Sequence, residues 1–184
     1  LEDAGVGLSS PELSTLLAHT KLDLTQRLLG TELPDVPAFA GRLPGYFPEP
    51  LRVQYARPIA AHPLRREIVA TMLVNEMVDG GGTSYAFRLA EELSAGVDEA
   101  VRAYAVSTAV FGLPELWAQA RAADMPVALA DRIVLESRRL LDRASRWFLT
   151  NRPQPLAVGA ETARFTETVR ELSGRVGALL CGPE

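Results

Sequence analysis

Lysine, cysteine and histidine are almost missing from this sequence of 184 residues, and each shortage excludes something. Lys21 is the only lysine, so chemistry that needs a side-chain amine has one candidate. Cys181, three residues from the C-terminus, is the only cysteine. No intrachain disulfide is therefore possible, and a reducing, cytoplasmic setting is expected. His19 and His62 are the only histidines, and neither belongs to an H-E-x-x-H pattern or lies beside the cysteine. A metal site would have to be assembled from scattered carboxylates, so no metal ligand is expected. Uncharged apolar runs stay well short of the roughly twenty residues that a membrane span requires, and no basic stretch leading into an apolar run marks a signal peptide. No membrane partner is expected. The net charge of -4 also argues against nucleic acid, whose phosphates call for a basic excess. The chain opens LEDAG, without an initiator methionine, as expected of a piece of a longer polypeptide, although processing or tag removal would leave the same start.

What is present is ordinary for a folded domain: 47% hydrophobic and 23% charged residues, enough to bury roughly two thirds of the unfolded surface. Alternating β-branched runs and internal repeats are lacking, and helical spacing dominates. The expected fold is all-α, an irregular bundle of about seven to eight helices without a sheet. Ser10 is the expected N-cap of the first helix, with Pro11 at its first position and Gly30 at its end. Leu13, Leu16, Leu17, Leu24 and Leu28 fall on one face of it. Between Thr31 and Pro50 five prolines forbid a long helix and predict an ordered connector of short turns. Residues 1–50 thus read as a helix plus connector, and residues 51–184 as the helical bundle. Helices are expected near 51–60, 63–79, 84–94, 98–111, 114–123, 126–150 and 160–180, with Pro63, Pro114 and Pro126 in first turns and Asp98 as an N-cap. In the longest, Val127, Ala130, Ile133, Val134, Leu140, Leu141, Ala144, Trp147 and Phe148 lie on one side. Arg138, Asp142 and Arg146 lie on the other, which reads as a solvated face.

Candidate chemistry is sparse. Gly80, Gly81 and Gly82 could suggest a phosphate-cradling loop, but a dinucleotide fingerprint places its glycines between a strand and a helix. The segment from Leu64 to Val78 has helical spacing, so a helix stop and hinge is expected, with Thr83 or Ser84 capping the next helix. His62, just before Pro63, reads as part of a helix start. Glu91 with Glu92, and Asp98 with Glu99, are adjacent and diverge around a helix, so they read as solvated or capping groups. Cys181 has no nucleophile context. Arg65 and Arg66 with Glu67, and Arg138, Arg139, Arg143, Arg146 and Arg152, could form an anion-binding stripe. The simpler reading is exposed helix arginines paired with Glu136 and Asp142. Asn75, among Ile68, Met72, Leu73 and Val78, reads as a buried amide in need of a partner, at a helix end or in another domain. No catalytic, cofactor-binding or metal residue is assigned.

Six stretches in order resemble the C-terminal part of the large bacterial NAD-dependent glutamate dehydrogenases: PELSTLLAHTKL at 11–22, YFPEPLR at 46–52, HPLRREIVAT at 62–71, FRLAEE at 87–92, RAYAV at 102–106 and LLDRASRWFLTNRP at 140–153. HPLRREI and LLDRASRW are the most specific. Pro58, in a stretch expected to be continuous helix, and Asp79 to Gly82 depart from the pattern. The resemblance implies a parent enzyme that oxidatively deaminates L-glutamate with NAD, whose catalytic lysine and nucleotide-binding fold lie upstream. It implies for this region a non-catalytic helical domain without its own cofactor, packed on the catalytic domain of the same polypeptide or on a neighbouring subunit of a homo-oligomer. The competing expectation is a free-standing helical interaction or ligand-sensing module. An independent enzyme would need a cleft with a titratable pair that the sequence does not offer.

Overall fold

A computed structural model describes residues 7–181, with side chains described through residue 175. Among the described residues there are ten α-helices and two short 3₁₀ turns, and no strand. The class is the expected one, with more helices than the seven to eight anticipated. Both additions arise at prolines. Pro37 starts a four-residue helix, α2 (Pro37–Ala40), inside the connector. Pro58 splits the helix expected over 51–60 into α3 (Glu49–Gln54) and α4 (Ala56–Ala60). A proline lacks the N–H for the i−4 carbonyl and crowds it, and four residues before Pro58 lies Gln54, the last residue of α3.

The chain divides into two compact units, Leu1–Tyr85 and Ala86–Glu184. In the first, α1 (Ser10–Leu29) packs along α5 (Arg65–Gly81). The contact buries Thr20, Leu24 and Leu28 from α1, and α5 buries Val69, Ala70, Leu73, Val74 and Met77. Leu33, Phe39 and Leu43 from the proline-rich segment are 4% exposed or less, so this connector belongs to the core of its unit. Fully burying one such side chain contributes about 1.5–3 kcal/mol. The cap of α1 is one residue earlier than expected: Ser9 is the N-cap and Pro11 the second helical residue. The Ser9 N–H and hydroxyl donate to the Glu12 carboxylate at 2.8 and 2.6 Å, which closes the helix start. The leucine face of α1 is covered only in part, since Leu13 and Leu16 remain exposed.

The second unit is built on α7 (Val97–Phe111), which packs against α9 (Val127–Asn151) and α10 (Val158–Cys181), while α8 (Leu113–Ala122) packs on α9. Gly96, not Asp98, is the N-cap of α7, and its N–H donates to the Glu99 carboxylate at 2.7 Å. Glu99 thus has the capping role that adjacent acids in a first turn suggest. Ala103, Val106, Val110, Phe148 and Leu156 form a core against which Phe165 rests. Two buried polar ties join helices of the unit: the Trp117 indole N–H of α8 donates to the Ser137 hydroxyl of α9 at 2.6 Å, and the Ser145 hydroxyl of α9 donates to Ser107 of α7 at 3.2 Å. Of the apolar side expected for α9, only Leu141, Ala144 and Phe148 in its second half are buried, and Leu140 and Trp147 beside them are exposed. Val127 is 76% exposed, whereas Leu141 is fully buried.

Candidate functional site

The glycine run ends a helix. α5 continues through Gly80 and Gly81, two residues beyond the expected stop, and Gly82 takes φ +95° and ψ 164°, a conformation essentially closed to other residues. Its N–H donates to the Val78 carbonyl at 2.9 Å, and its own carbonyl accepts from the N–H of Tyr85, the first residue of α6 (Tyr85–Leu93), at 3.2 Å. Gly81 has a second constraint: a Cβ there would lie 2.8 Å from Cγ of the buried Tyr85 ring. Gly80 and Gly81 thus lie at a helix C-terminus, which presents carbonyl oxygens and the negative pole of the helix dipole, unlike the strand-to-helix turn of a dinucleotide fingerprint.

The HPLRRE stretch closes the first unit onto itself. His62 Nδ1 accepts the Leu64 N–H at 3.1 Å and so caps the turn before α5, its ring 5.9 Å from that of Phe47. Pro63 stands in that turn, before the helix and not inside its first turn. The Arg66 guanidinium donates to the carbonyls of Leu29 and Thr31 at 3.0 Å each and pairs with Asp35, which also takes Arg65 at 3.4 Å. Arg66 thereby satisfies carbonyls that the end of α1 leaves without helical partners. Arg52 does the same for the loop before α3, donating to the carbonyls of Phe47 and of Gly45, the latter at 3.2 Å. Because a guanidinium forks and an ammonium does not, Arg66→Lys is expected to retain the Asp35 pair, lose a carbonyl bond and destabilise the unit by about 1 kcal/mol. Urea denaturation checks this, and an unchanged midpoint would contradict the clamp.

Two resembling stretches of the second unit interlock. Arg88 and Glu92 sit four residues apart on α6, as do Asp142 and Arg146 on α9. Arg88 donates to Asp142 at 3.1 Å, and Arg146 grips Glu92 with two bonds of 2.6 and 2.9 Å while also pairing with Asp142. Asp142 is therefore not on a solvated face but in a partly buried network. A further pair, Arg152 and Glu161, is bidentate at 2.8 and 3.0 Å, with the guanidinium 5.6 Å from the Phe165 ring. Arg102 donates to the Leu156 carbonyl at 3.1 Å. Of the other arginines in the suspected stripe, Arg139 pairs with Glu136 at 2.7 Å, as expected, and Arg143 is exposed.

These bonds set the titration. The Arg152 guanidinium holds the Glu161 carboxyl below its usual range, against an opposing effect of burial, and Arg146 does the same for Glu92. Ser9, through hydroxyl and backbone N–H, lowers Glu12. Arg152 is itself raised by its bond to Glu161, so its contribution would be lost only at strongly alkaline pH. A carboxyl depressed in the folded state binds protons less readily than in the unfolded chain. Its contribution is complete above the ordinary value of 4.5 and is lost as pH falls through the folded value. The thermal midpoint is thus expected to hold steady between neutral pH and about pH 5 and to fall below it. Arg152→Gln should lower the midpoint at neutral pH and soften the acid fall; an acid limb identical to that of the native chain would contradict the pairing.

The remaining candidates do not converge. His19 and Glu91 are exposed on separate helices, and Asn75 is half-buried on α5, not enclosed as its neighbours suggested. Lys21 pairs with Asp79 at 2.7 Å. The Cys181 side chain lies outside the described ones. Among the described residues no group of three or more histidine, cysteine or acidic side chains could hold a metal ion. A cleft of about 290 Å³ in the first unit is lined by Pro34, Ala40, Leu43, Ala60 and Val69, with Arg65 at its edge. A second, of about 250 Å³, has Leu93, Glu99 and Leu149 in its wall. Neither brings an acid and a base together. Among the described residues no helix is long and apolar enough to cross a membrane.

The fold and these ties define an all-helical domain in which Arg52, Arg66, Arg88, Arg102, Arg146 and Arg152 close its own turns and helix pairs. The model of the family described as glutamate dehydrogenase, C-terminal, matches residues 5–184, and the chain belongs to that family. It is 52% identical over 182 residues to the NAD-specific glutamate dehydrogenase of Mycobacterium tuberculosis, covering 99% of this chain and 11% of that protein. It is 32% identical to the NAD-specific glutamate dehydrogenases of Halomonas elongata, over 97% of the chain, and of Pseudomonas aeruginosa, over 98%. In each case it spans 11% of the relative's length.

Proposed function

We propose that this chain is the non-catalytic helical C-terminal domain of a large cytoplasmic NAD-specific glutamate dehydrogenase. The parent reaction would be oxidation of L-glutamate with NAD and water to 2-oxoglutarate, ammonia and NADH. The domain would pack on the catalytic portion of the same polypeptide or on a neighbouring subunit of a homo-oligomer, holding or gating the cofactor cleft. One observation carries the non-catalytic reading: Lys21, the only lysine, is engaged with Asp79, and the paired carboxylates and arginines brace helices and turns without facing a common cleft. The glycine turn, at a helix C-terminus, supports the absence of a nucleotide site of its own. Domains joined this way act through the stability and motion of the whole enzyme. Removing residues 1–184 from the parent enzyme is expected to lower its thermal midpoint and disturb its assembly or kinetics. A truncated enzyme with normal kinetics, assembly and stability would refute the role.

A further inference from the structure

Helix α1 is longer than the surface its own unit offers it. From Thr20 onward it buries Thr20, Leu24 and Leu28, but no residue from Ser10 to His19 is buried. Leu13 and Leu16 are 52% and 45% exposed, and Leu17 is half-buried, although all three share the face that continues into the buried leucines. An unpacked helical tip is marginal in water. This one is nevertheless fixed at its start by the Ser9–Glu12 capping box. The other resembling stretches are each engaged inside the domain. Arg52 and Arg66 clamp carbonyls, Arg88 and Glu92 lock onto Asp142 and Arg146, and Arg102 holds the Leu156 carbonyl. In PELSTLLAHTKL the leucines of the first half have no such engagement.

We propose that the N-terminal half of α1, through Leu13, Leu16 and Leu17, is a docking face for the portion of the same polypeptide that precedes this domain. The proposal rests on the reading of the chain as a C-terminal domain. Two observations select that occupant. The chain spans 11% of its relatives and matches the model of their family's C-terminal part, so on that reading a long preceding portion joins through the end of α1 that is uncovered. The face is also small. Three leucines offer at most a few hundred Å², well short of the roughly 1,000 Å² that two free molecules need, whereas a covalent tether supplies an effective concentration in the millimolar range. A second copy of the chain would lack that advantage.

Hydroxyl-radical footprinting of the unmodified full-length enzyme tests the burial. Relative to the same polypeptide unfolded in urea, Leu13 and Leu16 are expected to react at least about fivefold more slowly, because the centre of an interface is fully buried. Their exposure within the domain alone corresponds to a reduction of only roughly twofold. A twofold reduction at Leu13 and Leu16, with protection elsewhere, for example at Val53 or Val127, would overturn the docking face and leave the domain reading standing. Reactivity that matches the exposure of the domain alone at every residue between 7 and 175 would overturn both. Leu13→p-benzoylphenylalanine, in enzyme assembled from mixed ¹⁴N and ¹⁵N polypeptides, then identifies the occupant. Cross-links to upstream residues of a single isotope support the proposal; cross-links of mixed isotope assign the face to another copy and overturn it.

Discussion

Phe148→Ala is expected to destabilise the second unit by about 3–5 kcal/mol, the cost of removing a large buried ring from a core that cannot close around the gap. Phe148 is 3% exposed and belongs to the cluster of Ala103, Val106, Val110 and Leu156. Its ring meets those of Trp147 and Phe165 edge to face, at 5.2 and 5.4 Å between centroids. α7, α9 and the segment leading into α10 all contribute to this cluster, so the loss falls on the whole unit. Urea denaturation of native and variant chains measures it. Trp147→Ala is the control: next in sequence and of similar size but 46% exposed, it should cost distinctly less. Equal losses for the two would contradict the packing described.

Gly81→Ala is expected to cost about 1–3 kcal/mol, although alanine ordinarily stabilises a helix relative to glycine. The added Cβ would lie 2.8 Å from Cγ and 3.0 Å from Cβ of Tyr85. Those atoms lie close to the backbone, and the Tyr85 ring is 1% exposed, so it has nowhere to move. Gly82→Ala should also destabilise, by a different cause, because φ +95° is strained for any side chain even where space is open. Both are read from denaturation midpoints. A stabilising Gly81→Ala would show that the Tyr85 ring does not lie against α5.

Much of the fold was legible because helical spacing and proline positions act locally. Leu24 and Leu28, Leu73 and Val78, and Leu141 and Phe148 announced buried faces, and the prolines between Thr31 and Pro50 announced short turns. The break at Tyr55, where one helix over 51–60 was expected, has an equally local cause, since Pro58 rules out continuous hydrogen bonding to Gln54. What spacing could not supply was which face would meet a neighbour. Leu13 and Leu24 look alike in sequence, and only the extent of α5 separates the exposed from the buried. The polar ties were hidden for a related reason. Arg66 finds Leu29 and Thr31, and Arg146 finds Glu92, across long stretches of chain. A signal existed for one of them. Arg88 and Glu92 repeat, with opposite sign, the four-residue spacing of Asp142 and Arg146, so the two helices can pair in register. The capping error at α7 had a simpler origin: Asp98 and Gly96 are both good caps, and Glu99, three residues beyond Gly96, was the feature that decided between them.

The central claim, that the catalytic and nucleotide-binding machinery of the enzyme lies outside this domain, is tested most directly by following NADH formation from L-glutamate and NAD. The folded 184-residue chain and the full-length polypeptide would be assayed side by side. Turnover by the full-length polypeptide and none by the chain at equal molar concentration is the predicted result; glutamate-dependent NADH formation by the chain itself would contradict it.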